Sequence, residues 1–278
     1  MFKRKGCLLS FLFSITVVAI IFSTMNINDI GLRVLSFYKS LSQENVDLDK
    51  LQGKEYAITH EAWNKLLAVN VSEDGQVNYK GFNQSRDSLQ HYLELLSNNP
   101  PNTIKWSKEE QLAYWINAYN AFTVELILQH YPVNSIKDIG GDIPMVNSPW
   151  DIKFFKIGGV DFDLNTIEHE ILRKQFNEPR IHFAINCASV SCPILLNKAY
   201  TAIDVESQLK QQAIYFVNNP KKNQFKENEV EISGIFNWFE KDFTKNGTLI
   251  DFINQYSKRP IRSDTNVKFG VYNWNLNE

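Results

Sequence analysis

The stretch from Ser107 to Leu128 constrains the fold more than any other. Ser107 is followed three residues later by Glu110, a capping box in which each side chain bonds the other residue's backbone N–H. A helix is therefore expected to start here and to run through Leu112-Ala-Tyr-Trp-Ile-Asn-Ala-Tyr-Asn-Ala-Phe-Thr-Val-Glu-Leu-Ile-Leu128 until Pro132 ends it. It is apolar nearly all round, a pattern that suits a central, buried helix. Asn117 and Asn120 then lie one turn apart on one face, where an amide is costly unless its donors and acceptors are satisfied. Either they tie neighbouring loops to the core, or one of them points into a site as an orienting or oxyanion-binding amide.

Weaker signals surround this element. Ile58 to Val69, Arg86 to Leu96, Val205 to Asn218, Ile235 to Phe243 and Leu249 to Tyr256 read as helices, and Asn165 or Thr166 caps another over Ile167 to Arg173. Val77 to Tyr79 reads as a short strand after the Asp74-Gly75 turn, Gln224 to Lys226 and Val230 to Ile232 as a hairpin, and Val267 to Tyr272 as a last strand. The region from Ile139 to Gly159 is irregular, and a loop of that length in a compact domain is often functional. The expected fold class is α+β, a predominantly helical body packed on a small, mostly antiparallel sheet that contains the segment before the cysteines. With 278 residues, 44% of them hydrophobic, the chain can bury one substantial core, and residues 55–278 are expected to form a single globular domain.

Lys3, Arg4 and Lys5 precede the apolar run from Cys7 to Phe22, so residues 1–25 read as a membrane anchor or signal segment, and residues 26–54 as a polar stalk. The expected location is a single N-terminal membrane span with the globular domain outside the cytoplasm, periplasmic or extracellular. The alternative is export after signal cleavage. The formal charge is −2; without those three basic residues 26 basic stand against 31 acidic ones, a net of −5, which argues against nucleic acid as a partner. The expected partners are the membrane, through the N-terminal segment, and a small-molecule, peptide or envelope ligand. No cofactor is implied.

The chemistry concentrates in Arg180-Ile-His-Phe-Ala-Ile-Asn-Cys-Ala-Ser-Val-Ser-Cys-Pro193, an apolar run that leads into a small-residue turn with two cysteines. Such a turn is where nucleophiles and redox pairs are presented. Cys187 is the candidate nucleophile, His169 the candidate base, and Glu168, Asn117 or Asn120 the group that orients it. If the run is an extended strand, His182, Ala184 and Asn186 face away from Phe183, Ile185 and Cys187, so parity sets His182 apart from the thiol. The role of His182 stays open. A metal site is disfavoured, because the spacing exceeds that of a zinc knuckle and no second cysteine pair or His-x-x-x-His completes a ligand set. Three readings follow: a cysteine-dependent hydrolase or acyltransferase; a non-catalytic binding or scaffolding domain in which Cys187 and Cys192 form a disulfide; and a thiol redox protein.

Six motifs occur in order over roughly 160 residues: Trp115-Ile-Asn-Ala-Tyr-Asn120; Ile167-Glu-His169 with Leu172-Arg173; Pro179-Arg-Ile-His-Phe183; Cys187-Ala-Ser-x-Ser-Cys-Pro193; Trp238 with Asp242-Phe243; and Tyr272-Asn-Trp-Asn-Leu-Asn277. Together they resemble the family called domain of unknown function 547. The family's ending is more often Tyr-Asp-Trp, so Asn273 departs from it. The resemblance implies which residues belong together and leaves their chemistry open.

Overall fold

The computed structural model describes residues 51, 53–140, 148–226 and 229–278. All of them belong to one compact unit, Val46–Glu278. The fold is α+β, with far more helix than strand.

At its centre is the expected helix, α4 (Lys108–His130), preceded by α1 (Glu61–Asn70), α2 (Tyr79–Gln84) and α3 (Arg86–Asn98). The capping box forms as read: Glu110 N–H donates to Ser107 Oγ, and Ser107 N–H to the Glu110 carboxylate. Every residue from Leu112 to Leu128 is buried. Trp115 stacks on Phe162 and Phe122 on Phe155, which fastens the antiparallel pair β1 (Phe155–Ile157) and β2 (Val160–Phe162) to this helix. Gly158 and Gly159 turn between the two strands with φ of +60° and +82°, values that L side chains rarely adopt.

After β2 the chain forms a π-helix, Thr166–Leu172, which continues as α5 (Arg173–Gln175). Its first turn is capped by Asp163, whose Oδ1 accepts from Thr166 N–H at 2.7 Å, and not by Asn165 or Thr166. A second hydrophobic cluster gathers around Phe183, packed by α6 (Val205–Val217), α7 (Ile235–Trp238), α8 (Glu240–Phe243) and α9 (Leu249–Asn254). A three-stranded sheet borders it in the order β3 (Gln224–Phe225), β4 (Glu229–Ile232), β5 (Asn266–Phe269). The hairpin is antiparallel as expected, whereas β5 joins β4 in parallel.

Three expectations need correction. The segment before the cysteines is not a strand: Pro179–Phe183 is a 3₁₀ helix, and the chain then stays irregular through the cysteines. The apolar residues divide between two cores, Phe183 in the second cluster and Ile181, Ala184 and Ile185 around α4, a division that one strand face cannot supply. Val77 makes only an isolated bridge to Val71, and Tyr79 already begins α2. Finally, the single N-terminal membrane span is not borne out. No helix among the described residues is long and apolar enough to cross a membrane. Cys7 to Phe22, where the span was expected, lies outside the described residues, as do residues 26–50 of the expected stalk.

Candidate functional site

Asn120 places the cysteine turn. Its Nδ2 donates to the Ala184 carbonyl at 3.0 Å and its Oδ1 accepts from Asn186 N–H at 2.8 Å, so the segment entering the turn is clasped to the central helix. Asn117 clasps Tyr200 in the same way, donating to its carbonyl at 2.8 Å and accepting from its N–H at 3.0 Å. Both amides thus tie loops to the core, and neither appears among the residues of the cavity described below. Within the turn, Asn186 Oδ1 accepts from Ala188 N–H, Ala188 takes a left-handed φ of +58°, and Cys192 N–H donates to the Ser189 carbonyl. The terminal segment zips onto this turn. Val190 N–H donates to the Asn275 carbonyl, Ser191 N–H to the Asn273 carbonyl, and Asn273 N–H to Ser191 Oγ.

Cys187 and Cys192 are free thiols whose sulfurs stand 2.7 Å apart. Cys187 is partly exposed, and Cys192 is buried. Burial alone would push the Cys187 thiol up, but hydrogen bonds from Cys192, from Ser189 Oγ at 3.3 Å and from the Tyr272 hydroxyl at 3.3 Å outweigh it and hold the thiol below its ordinary value. Cys192 moves the other way, since burial and the neighbouring Cys187 charge both favour its neutral form. The pair is therefore asymmetric, with the more acidic thiol on the accessible side.

The two cysteines open onto a cavity of about 210 Å³. Trp150, Trp238, Tyr272 and Trp274 form an aromatic wall, with Trp238 stacked on Trp274 at 5.7 Å between ring centroids. Opposed chemistry comes from Glu168, His169 and His182, which line the same space. Burial, helped by the Cys187 charge, raises the Glu168 carboxyl to about 7 against the opposing pull of Arg173 and of the Tyr119 hydroxyl, 3.3 Å away.

His182 Nε2 donates to Asp242 Oδ2 at 2.8 Å, and the ring stacks on Phe239 at 3.9 Å. Arg173 Nε donates to the same carboxylate oxygen at 2.6 Å. Burial lowers the proton affinity of His182 despite the Asp242 hydrogen bond, while the bonds from His182 and Arg173 outweigh burial and hold Asp242 well below the usual carboxylate range. The pair is thus a carboxylate bonded to a neutral imidazole, with Arg173 supplying the balancing charge. His169 is placed differently: its Nδ1 accepts from Arg173 Nη1 at 3.0 Å, so the neutral ring carries its proton on Nε2.

The expected separation of His182 from Cys187 is thereby overturned. The parity argument required an extended run, and in the 3₁₀ conformation both side chains line one cavity. Asp242, Tyr272, Tyr119 and Phe239 had no sequence-level signal for a place at this site beyond the motifs that contain the first three. Among the described residues no group of three or more His, Cys, Asp or Glu side chains is placed to hold a metal ion.

Residues 103–217 match the family model described as "Protein of unknown function, DUF547". This segment belongs to the DUF547 family. It contains Asn117, Asn120, Glu168, His169, Arg173, His182 and both cysteines. The site is completed by residues beyond the DUF547 match: Asp242, which orients His182, and the aromatic wall of Trp238, Tyr272 and Trp274. No curated protein and no solved structure matches the chain.

Proposed function

We propose that the cavity is the active site of a cysteine-dependent hydrolase or acyltransferase, with Cys187 as nucleophile. The observation that carries this reading is the partly exposed Cys187 thiol, acidified by three side-chain donors and sharing its cavity with a histidine held by a carboxylate. The base is His182 rather than His169. Its Nε2–H is committed to Asp242, which leaves Nδ1 as the acceptor nitrogen, whereas the Nδ1 lone pair of His169 is already used by Arg173. His182 Nδ1 takes the Cys187 proton; attack of the thiolate on an acyl carbon then forms a thioester and expels the leaving group, which takes that proton from His182. Water or an acceptor hydroxyl or amine then attacks the thioester, returns that proton to His182 and frees the thiol. The carboxyl of Glu168, with its proton affinity near neutrality, is suited to donate a hydrogen bond to the oxygen on which charge develops.

The short contact between the sulfurs favours a second reading, a ligand-binding module stapled by a Cys187–Cys192 disulfide. The two readings separate in one experiment on reduced, desalted protein, using p-nitrophenyl acetate and iodoacetamide from pH 5 to 9. Acyl transfer requires a burst of p-nitrophenol with the acetyl group recovered on Cys187, and alkylation with an apparent pKa below the usual thiol value of about 8.5. His182→Gln is expected to suppress the burst while Cys187 remains accessible. Alkylation of Cys187 no faster than a free thiol, with no acetyl adduct on it, rules out the nucleophile. In urea titrations of the oxidised protein, a loss of about 2–5 kcal/mol from either cysteine substitution points instead to the staple.

A further inference from the structure

We propose that Cys187 and Cys192 also form a peroxide-reducing pair, Cys187 attacking a small hydroperoxide and Cys192 resolving the oxidised sulfur. This activity shares the Cys187 thiol with the reading above but needs no acyl chemistry. The geometry supplies three requirements at once. Cys187 faces a cavity of about 210 Å³, room for hydrogen peroxide or a short organic hydroperoxide. Cys192, only 4% exposed, borders the same cavity and lies 2.7 Å from the Cys187 sulfur. Closing that gap to the bond length of about 2.05 Å takes well under 1 Å of movement, so no element has to unfold to resolve the intermediate. The turn that carries both thiols is held from two sides, by Asn120 and by the terminal segment through Asn273 and Asn275, which keeps the sulfurs together.

The chemistry balances as follows. The Cys187 thiolate attacks the terminal peroxide oxygen, the O–O bond breaks, and one proton makes the leaving alkoxide an alcohol; sulfur is oxidised by two electrons to the sulfenic acid and the peroxide is reduced. The Cys192 thiol then attacks the sulfenic sulfur, forming the S–S bond and releasing water. An external thiol or dithiol returns two electrons and two protons by exchange through a mixed disulfide. Tyr272, whose hydroxyl lies 3.3 Å from Cys187 Sγ and 3.2 Å from Ser189 Oγ, is positioned to donate to the sulfur or to the oxygen it acquires. The lowered proton affinity of Cys187 keeps the attacking form populated at neutral pH.

The test uses the reduced chain, one equivalent of hydrogen peroxide at pH 7, and intact-mass and thiol counts over time. The expected result is loss of both Cys187 and Cys192 thiols with a net loss of two hydrogens and full recovery in dithiothreitol. The rate should be at least about tenfold that of the same chain in denaturant, because thiolate is enriched only in the folded site. Cys192→Ser and Cys192→Ala should each halt at a Cys187 sulfenic acid, trapped as a single dimedone adduct. Either variant suffices if the other folds poorly. Oxidation of Cys187 to the sulfinic acid with Cys192 left free in the unsubstituted chain overturns the pairing. A normal acetyl burst without accelerated peroxide reaction overturns this activity alone, whereas an inert Cys187 in both assays overturns both readings.

Discussion

Replacing Asn120 with alanine removes both bonds that fix the approach to Cys187. The side chain is 2% exposed, its Oδ1 accepts from Asn186 N–H at 2.8 Å, and its Nδ2 donates to the Ala184 carbonyl at 3.0 Å. Alanine reaches neither group, so one backbone donor and one backbone acceptor are left buried and unpaired. At about 1–3 kcal/mol for each group the expected loss is about 2–6 kcal/mol. That is a large share of the roughly 5–15 kcal/mol that holds a typical domain together. Asn117→Ala is the matched control, since Asn117 makes the same two-bond clasp onto Tyr200, in a segment that does not bear the thiols. Urea unfolding followed by circular dichroism, with Cys187 alkylation rates measured under native conditions at pH 7, separates stability from site geometry. Both variants should lose stability by similar amounts. Only Asn120→Ala should also slow alkylation, because loosening the turn weakens the Ser189 and Tyr272 bonds that acidify Cys187. A loss below about 1 kcal/mol for Asn120→Ala refutes the clasp. An equal drop in alkylation for the two variants refutes the claim that Asn120 positions the thiol.

Three further perturbations test other parts of the molecule. Glu168 keeps its proton in the folded chain up to about pH 7, while in the unfolded chain it ionises near 4.5; its stabilising contribution is complete below about pH 4.5 and is lost as pH rises towards 7. At about 1.4 kcal/mol per pH unit, the loss between pH 5 and 7 should be about 2–3 kcal/mol, and Glu168→Gln should abolish that slope in paired urea titrations. Asp242→Asn leaves the Arg173 guanidinium without its carboxylate and frees the orientation of His182; an unfolding cost of about 2–3 kcal/mol is expected, with a weakened acetyl burst, and an unchanged burst contradicts the orienting role. Phe183→Ala opens the second cluster, where Phe183 stacks on Phe216 at 5.0 Å and on Phe243 at 5.6 Å; thermal unfolding should report a loss of about 3–5 kcal/mol, and a loss under 1 kcal/mol contradicts the central place of this ring.

What could be read from the chain alone follows from how local each cause is. The start and burial of the central helix rest on a capping box spanning four residues and on periodicity within one element, so both were legible, and the buried Asn117 and Asn120 followed from them. The cysteine segment was misread because its apolar run has the composition of a strand, while its shape is set by partners far away in sequence. Ile181 and Ala184 stand three apart, the spacing of a 3₁₀ turn, and Phe183 between them turns to a different core. Whether a short apolar run faces one core or two is a tertiary fact that periodicity does not encode. The same error displaced the histidine. Parity assigned His182 away from Cys187; the 3₁₀ conformation lets both line one cavity, and the groups bonded to them there, Asp242 at 60 residues from His182 and Tyr272 at 85 from Cys187, enter only through long-range contact. Substituting those two distant residues is therefore more discriminating than substituting the histidines themselves. If Tyr272→Phe raises the alkylation pKa of Cys187 and Asp242→Asn weakens the acetyl burst, the site is an assembly of the DUF547 segment with the residues that follow it, and the matched segment expressed without them should lack both properties.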